Sequence, residues 1–321
     1  MKPKVYITRH LPDIAQERLM TFCDPVLWDV DTPPGYEEIL RQVKDKEGLL
    51  CLLTDRIDAH LIESAPHLRV ISQCAVGFDN IDIPAATSRG IAVGNTPGVL
   101  TETTADFAFA LLMTAARRVV EGMDYVRAGK WQTWGLSLLL GSDLYAGTLG
   151  IVGMGRIGQA VARRARGFNM KILYYDNQRK PDLEKVLGIG YAELDDLLRQ
   201  ADFVSLHINL TPQNRGLIGL RELALMKPTA ILINTARGPV VDTEALYLAL
   251  KENRLAHAAL DVTDPEPLPS SHPLLALSNV TITPHIASAT VATRTRMALM
   301  AVENLLAGLS GEKLPYPVNH I

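Results

Sequence analysis

Residues 148–176 constrain this chain more tightly than any other stretch. A strand-forming run, Thr148-Leu-Gly-Ile-Val152, meets three glycines at Gly153, Gly155 and Gly158, then a helical pattern, then a second apolar run, Lys171-Ile-Leu-Tyr-Tyr175, that ends on Asp176. A strand that turns into a helix within three residues lays that helix back on the sheet, which is the geometry of a parallel βα unit. The same alternation extends in both directions. Apolar runs of strand length occupy residues 4–8, 25–30, 49–53, 69–75 and 91–95, separated by amphipathic stretches at 13–22, 36–43 and 58–64. A long helix is expected over 101–120, with Thr101 as N-cap and Phe107, Leu111, Leu112, Thr114 and Ala115 along its apolar stripe. A second series then runs through 148–152, 171–175, 203–208, 230–235, 256–262 and 280–283 to a closing helix at about 290–309. At 321 residues the chain exceeds what one core usually serves. Two series around one long helix predict an α/β protein of two doubly wound parallel-sheet domains with a cleft between them. Periodicity leaves open whether the last helix returns to the first domain.

Composition narrows the function classes. A net charge of −3 without long basic runs leaves no electrostatic footprint for nucleic acid or an anionic membrane. The densest basic stretch, Arg163, Arg164 and Arg166, falls on a predicted helix and reads as a solvated face. The longest uncharged apolar stretch, 107–116, is too short to span a bilayer, and no signal-peptide block precedes the first strand. Cys23, Cys51 and Cys74 are odd in number and lack paired spacing or nearby His ligands, so neither a disulfide framework nor a metal site is expected and a reducing cytoplasm fits.

The run Gly153-Met154-Gly155-Arg156-Ile157-Gly158 is a dinucleotide fingerprint in its proper setting of strand, turn and helix. Gly153 permits the turn, Gly155 lets a pyrophosphate approach the backbone, and Gly158 lets the helix pack on the strand. The helix N-terminus presents N–H groups to phosphate, and Arg156 adds a positive charge there. Asp176, at the end of the next strand, is placed to accept hydrogen bonds from the ribose hydroxyls of NAD and to repel the 2′-phosphate of NADP. Arg179 and Lys180 follow it, and cations there suit a 2′-phosphate, so NAD is favoured over NADP without being the only reading. Taken without their setting, the glycines also fit a plain turn and Asp176 a solvated strand end.

Several further motifs, in one order, carry a family resemblance. They are Val76-Gly-Phe-Asp-Asn-Ile-Asp82, the run from Asn95 to Ala105, the glycine fingerprint, Asn234-Thr-Ala-Arg-Gly238, Leu260-Asp-Val262 with Pro265-Glu-Pro267, and Thr283-Pro-His-Ile286. From Tyr6 to about Leu314 the sequence resembles the D-2-hydroxyacid dehydrogenases, and within them the glyoxylate/hydroxypyruvate reductases. The resemblance implies a Rossmann NAD-binding domain over 99–286 and a discontinuous flavodoxin-like substrate domain over 1–98 and 287–321. It further implies a catalytic set of Arg237, Glu266 and His285. The chemistry suits those side chains: imidazolium donates a proton near neutral pH, a carboxylate orients the ring and favours its charged form, and a guanidinium fork holds the substrate carboxylate. Residue by residue and without the resemblance, a surface His, a loop Glu and a salt-bridging Arg remain open.

Other positions carry over singly. Val76 and Gly77 match a loop whose backbone amides face the substrate carboxylate, and Ser288 joins the substrate-facing positions. Thr104 matches a cofactor-facing threonine, with helix capping as its alternative. Thr235 and Ala236 match residues near the nicotinamide ribose, Asp261 the acceptor for the carboxamide. His207 and Asn209 end a strand on the pyrophosphate side, with a packed strand-end imidazole as the alternative for His207. The sequence departs from the family pattern at Asp106, where Glu is usual, at Asn209 in place of a frequent proline, and at Ala287 in place of glycine. The apolar stretch from Trp131 to Leu140 has neither helical nor alternating order, which suggests an arm covered by a second subunit of a homodimer. The resemblance brings Trp134 towards the other subunit's substrate site. The expected activity is NAD(H)-dependent reduction of glyoxylate or hydroxypyruvate. The alternatives are another 2-hydroxy acid or phosphite as substrate, and a nucleotide-sensing corepressor.

Overall fold

The computed structural model describes residues 2–30 and 32–321. The chain packs as two compact units, Met1–Leu100 with Ala289–Ile321, and Thr101–Ser288. No helix among the described residues is long and apolar enough to cross a membrane. All three cysteines are free, Cys23 and Cys51 buried and Cys74 half-buried.

In the first unit five strands, β1 (Lys4–Ile7), β2 (Asp24–Leu27), β3 (Gly48–Cys51), β4 (Val70–Gln73) and β5 (Ala92–Gly94), form one parallel sheet in the order β2-β1-β3-β4-β5. That is the flavodoxin-like order. Successive side chains point to opposite faces, and both faces are covered, which is why these strands read as continuous apolar runs. On one face Val5, Ile7, Leu50 and Val70 pack with Ala298, Ala301, Val302 and Leu305 of the helix Val291–Ser310. On the other, Tyr6, Leu49, Ile71 and Val93 pack with Ile39, Leu61, Ile62 and Ala86. The helix Val291–Ser310 is fixed to the sheet by polar contacts as well. Asn304, fully buried, donates to the Asn95 carbonyl (2.9 Å) and accepts from the Tyr316 N–H (3.0 Å). Gly94 makes room for it, since a Cβ there would lie 2.6 Å from the Asn304 side chain.

The second unit holds seven strands, β6 (Thr148–Val152), β7 (Lys171–Tyr175), β8 (Gly190–Tyr191), β9 (Phe203–Leu206), β10 (Ile231–Asn234), β11 (His257–Leu260) and β12 (Val280–Ile282). All pair in parallel in the order β12-β11-β10-β9-β6-β7-β8. Read from the β8 edge this is the Rossmann order 3-2-1-4-5-6 extended by one strand. The direction of winding reverses between β6 and β9, and ligands of such sheets bind beyond the carboxyl ends of the strands at that point.

Two expectations need correction. The helix expected over 101–120 is two helices, Thr101–Ala116 and Val119–Arg127, broken at Arg118 with φ 52°. The returning segment 140–142 causes the break: the Ser142 N–H donates to the Ala116 carbonyl (2.8 Å), and a Cβ at Gly141 would lie 2.2 Å from that oxygen. A chain segment thus answers a carbonyl that continued helix would have used. Arg163 and Arg164 do not form a merely solvated face. Arg164 donates to Asp106 (2.7 Å) and Glu102 (2.8 Å), and Arg163 to Glu102 (2.8 Å), clamping the helix Arg156–Arg166 to Thr101–Ala116.

Asn304→Ala should leave the buried Asn95 carbonyl and the part-buried Tyr316 N–H without their partner. The expected loss is about 2 to 6 kcal/mol, from about 1 to 3 kcal/mol for each unsatisfied group, read as a lower urea midpoint than for the native chain.

Candidate active site

The turn after β6 is built by two close backbone approaches and one open position. Gly153 adopts φ 97°, and a Cβ on it would lie 2.5 Å from the His207 carbonyl oxygen. A Cβ at Gly158 would lie 2.1 Å from the Gly153 oxygen, so the helix Arg156–Arg166 sits directly on the turn. Around Gly155 a Cβ would meet nothing within 4 Å, and this N-cap position supplies no side chain to the first turn. The protein's own packing therefore explains Gly153 and Gly158, whereas Gly155 opens space over uncapped helix N–H groups. That space with those donors fits a pyrophosphate. Arg156 is exposed beside it, and Ile157 is half-buried against the core.

Met154, fully buried, is held at both of its backbone groups. Its N–H donates to Asp176 Oδ2 (2.8 Å), and its carbonyl accepts from Lys180 Nζ (3.1 Å) and Gln159 Nε2 (3.2 Å). Lys180 Nζ also pairs with Asp176 Oδ2 (3.1 Å), and the Gln178 N–H reaches Oδ1 (3.3 Å). Partial burial opposes ionisation of Asp176, but the Met154 N–H and the Lys180 ammonium outweigh it and hold the carboxyl below the usual range. Arg179 turns away, donating to both oxygens of Glu184 (2.8 and 2.9 Å).

At the ends of β10, β11 and β12 lies the second cluster. Asn234 shapes the loop after β10, accepting from the Ala236 N–H (3.0 Å) and donating to the Arg237 carbonyl (2.9 Å). Gly238 then lets the loop press against residues 263–264, because a Cβ there would lie 1.9 Å from the Thr263 oxygen. The loop of Arg237 is thereby seated on the loop of Glu266. Glu266 Oε1 meets His285 Nδ1 at 2.6 Å, and its Oε2 accepts from the Thr263 N–H (3.4 Å). His285 has φ 55°, an uncommon conformation for a residue with a side chain. Asp261, 1 % exposed, holds it there. The Asp261 carbonyl accepts from the His285 N–H (2.9 Å), and its carboxylate accepts from Thr283 Oγ1 (2.6 Å), Ile286 N–H (2.9 Å) and Ala287 N–H (2.7 Å). Three of about four acceptor sites are used, so one remains for a further donor.

The other positions named from the sequence fall as follows. Thr235 is buried, and its hydroxyl has no partner within the protein, which fits a donor or acceptor supplied by a bound group. Ala236 is half-buried beside it, Thr104 is buried in Thr101–Ala116, and Ser288 is buried just beyond the His285 loop. His207 places its ring at 2.8 Å from Ser205 Oγ, and burial pushes its pKa down to about 4, so at neutral pH it carries no charge. Asn209 is exposed, its carbonyl taken by Asn214 (2.5 Å). Trp134 is 77 % exposed, in an arm with Trp131, Leu136 and Leu140 also exposed. In the first unit, the Val76 carbonyl accepts from Asn95 (2.8 Å) and the Gly77 carbonyl from Gln73 (3.1 Å). A trans peptide plane turns the N–H that follows each carbonyl, that of Gly77 and that of Phe78, the opposite way. Sequence reasoning missed Asn234, Gln73 and Asn80, which donates to the Leu52 and Asp55 carbonyls. Of these, only Asn234 left a signal, as an Asx residue at a strand end before a turn.

The fold, the fingerprint and the paired His and Glu define a dinucleotide-binding dehydrogenase class, and the comparisons make the family specific. The chain belongs to the D-isomer specific 2-hydroxyacid dehydrogenases, whose NAD binding domain matches residues 109–287. It is 56% identical over 320 residues to a glyoxylate reductase of Korarchaeum cryptofilum, covering 99% of this chain and 96% of that protein. A solved structure from Thermus thermophilus superposes with TM-score 0.93 at 50% identity, covering 98% of this chain and 100% of that one. An NADPH-dependent glyoxylate/hydroxypyruvate reductase of Sinorhizobium meliloti, solved with NADP and malonate, superposes with TM-score 0.88 at 30% identity over 99% of this chain and 97% of that one.

Burial also depresses His257, at the start of β11, to about 4. Unfolded imidazoles titrate near about 6.5, so as pH falls from there towards 4 the unfolded chain takes up protons that these two folded rings refuse. Stability should fall over that window by at most about 1.4 kcal/mol per pH unit for each ring. His207→Gln with His257→Gln should flatten the fall, seen as urea midpoints at pH 7, 6 and 5.

Proposed function

We propose that this protein reduces a small 2-keto acid, glyoxylate or hydroxypyruvate, to the D-2-hydroxy acid with NADH as the preferred donor. The observation that carries the reading is the 2.6 Å pair of His285 Nδ1 and Glu266 Oε1, presented at strand ends beside the Arg237 loop. The glyoxylate reductases that the chain is similar to supply the substrate class.

Bound NADH supplies the hydride. Gly155 and the N-terminus of Arg156–Arg166 receive the pyrophosphate, Asp176 the adenine-side ribose, Thr235 and Ala236 the nicotinamide-side ribose, and Asp261 the carboxamide through its remaining acceptor site. Thr104, His207 and Asn209 complete the proposed cofactor contacts. With Nδ1 of His285 held by Glu266, the ring donates a proton through Nε2 to the oxygen that gains the electron pair. Glu266 keeps the ring turned that way and counters the positive charge it carries before transfer. Arg237 presents a planar fork to the substrate carboxylate. Val76, Gly77 and Ser288 are proposed as further substrate contacts, the first two through backbone N–H groups.

The chain is also proposed to act as a homodimer. Trp131, Trp134, Leu136 and Leu140 lie exposed in the arm, and the preceding helix Val119–Arg127 has no buried residue. Large apolar side chains exposed at this density call for a cover, and an identical subunit supplies one. Trp134 is the arm residue proposed to reach the partner's substrate.

His285→Ala should lower kcat for glyoxylate reduction by about 10² to 10⁴-fold while the NADH Kd, from nicotinamide fluorescence, stays within about threefold. Arg237→Ala should raise KM and lower kcat together. Retention of native kcat in His285→Ala would remove it as proton donor. Trp134→Ala should raise KM for the keto acid with the NADH Kd unchanged. An active monomer in sedimentation at assay concentration would end the cross-subunit role.

A further inference from the structure

Two cations follow β7, and the structure treats them differently. The Arg179 guanidinium is committed: both Glu184 oxygens accept from it, and it lies over the Tyr191 ring at 5.6 Å from the centroid. Lys180 is anchored at its backbone, whose N–H donates to the Tyr174 hydroxyl (2.6 Å), but its side chain comes back over the fingerprint turn. There Nζ lies 3.1 Å from Asp176 Oδ2 and 3.1 Å from the Met154 carbonyl oxygen. The ammonium is therefore on the carboxylate that faces the adenine-side ribose, half-exposed and on a flexible four-carbon stem.

A strand-end carboxylate excludes a 2′-phosphate by unfavourable charge and by offering acceptors where acceptors already crowd. Lys180 cancels that charge locally. When a ribose with two hydroxyls is bound, Asp176 keeps Lys180 and accepts from the hydroxyls. When a 2′-phosphate is present, the ammonium has a stronger anion within reach of the same stem, and such a charge-assisted contact replaces the ion pair. We infer that Lys180 is a specificity-determining residue for the cofactor: paired with Asp176 it weakens discrimination against a 2′-phosphate, so the protein uses NADPH as well as NADH. This rests on the reading of Asp176 as the residue facing the ribose.

Nicotinamide-fluorescence titrations yield the Kd for NADH and NADPH in the native protein and in Lys180→Met, Lys180→Arg and Asp176→Asn. Methionine keeps the apolar stem and removes the charge. The Kd ratio of NADPH to NADH should rise at least tenfold in Lys180→Met and stay within threefold of native in Lys180→Arg. Loss of the contact to the Met154 carbonyl alone would weaken both cofactors equally. An equal loss, or no change, in Lys180→Met therefore overturns the inference. Asp176→Asn should lower the ratio at least tenfold. If Asp176→Asn leaves the ratio unmoved while Lys180→Met raises it, the role of Asp176 fails and that of Lys180 stands. Addition of 0.3 M salt should weaken NADPH more than NADH in the native protein and lose that difference in Lys180→Met, because the added contact is ionic.

Discussion

The carboxylate of Asp261 is nearly inaccessible to water, and a buried charge is tolerated only where donors surround it. Here the donors are backbone N–H groups of Ile286 and Ala287 and the hydroxyl of Thr283, while the Asp261 N–H itself joins the Asn234 carbonyl at the end of β10. One residue thus ties the ends of β10, β11 and β12 together and obliges the chain at His285 to take up a left-handed conformation. The cost of that conformation is met by hydrogen bonds made on either side of it. Glu266 completes the arrangement from outside, so His285 is fixed at Nδ1 by a side chain and at its N–H by the Asp261 carbonyl, while the buried anion holds the residues on either side of it.

Close backbone approach is the complementary device. At Gly158 the helix meets the turn that precedes it, at Gly238 the Arg237 loop meets the chain at Thr263, and at Gly94 a strand meets the side chain of Asn304. In each case a single methyl group would separate two elements whose relative position matters. Rigid placement of this sort puts side chains on loops with the precision of regular structure.

The alternation of strands and helices was legible because each element buries its own face. The fingerprint was legible because its three glycines and Asp176 belong to one βα unit, where spacing along the chain stands in for distance in space. Gly238 and Gly94 carried no such signal, since what they approach, Thr263 and Asn304, is far away in sequence. The break at Arg118 was hidden for the same reason: its cause is Gly141 and Ser142. Arg163 and Arg164 looked like a solvated face because their partners lie on another helix some sixty residues earlier. The charge balance around Asp176 was ambiguous from Arg179 and Lys180 alone, and only the position of Glu184 separates the two cations.

The first unit is completed by a helix that follows the whole of the second. Its sheet of five strands ends at Gly94, yet Ala298, Ala301, Val302 and Leu305, which cover one face, are made only after the intervening residues 101–288. At a synthesis rate of about 5 to 20 residues per second, the interval is about 10 to 40 s. Until then the row of Val5, Ile7, Leu50 and Val70 has Leu11, Ala15 and Leu19 of its cluster but lacks the residues of the last helix, while the second unit is continuous in sequence. The core of the first unit is thus the last to be completed, although its sheet is the first to be made.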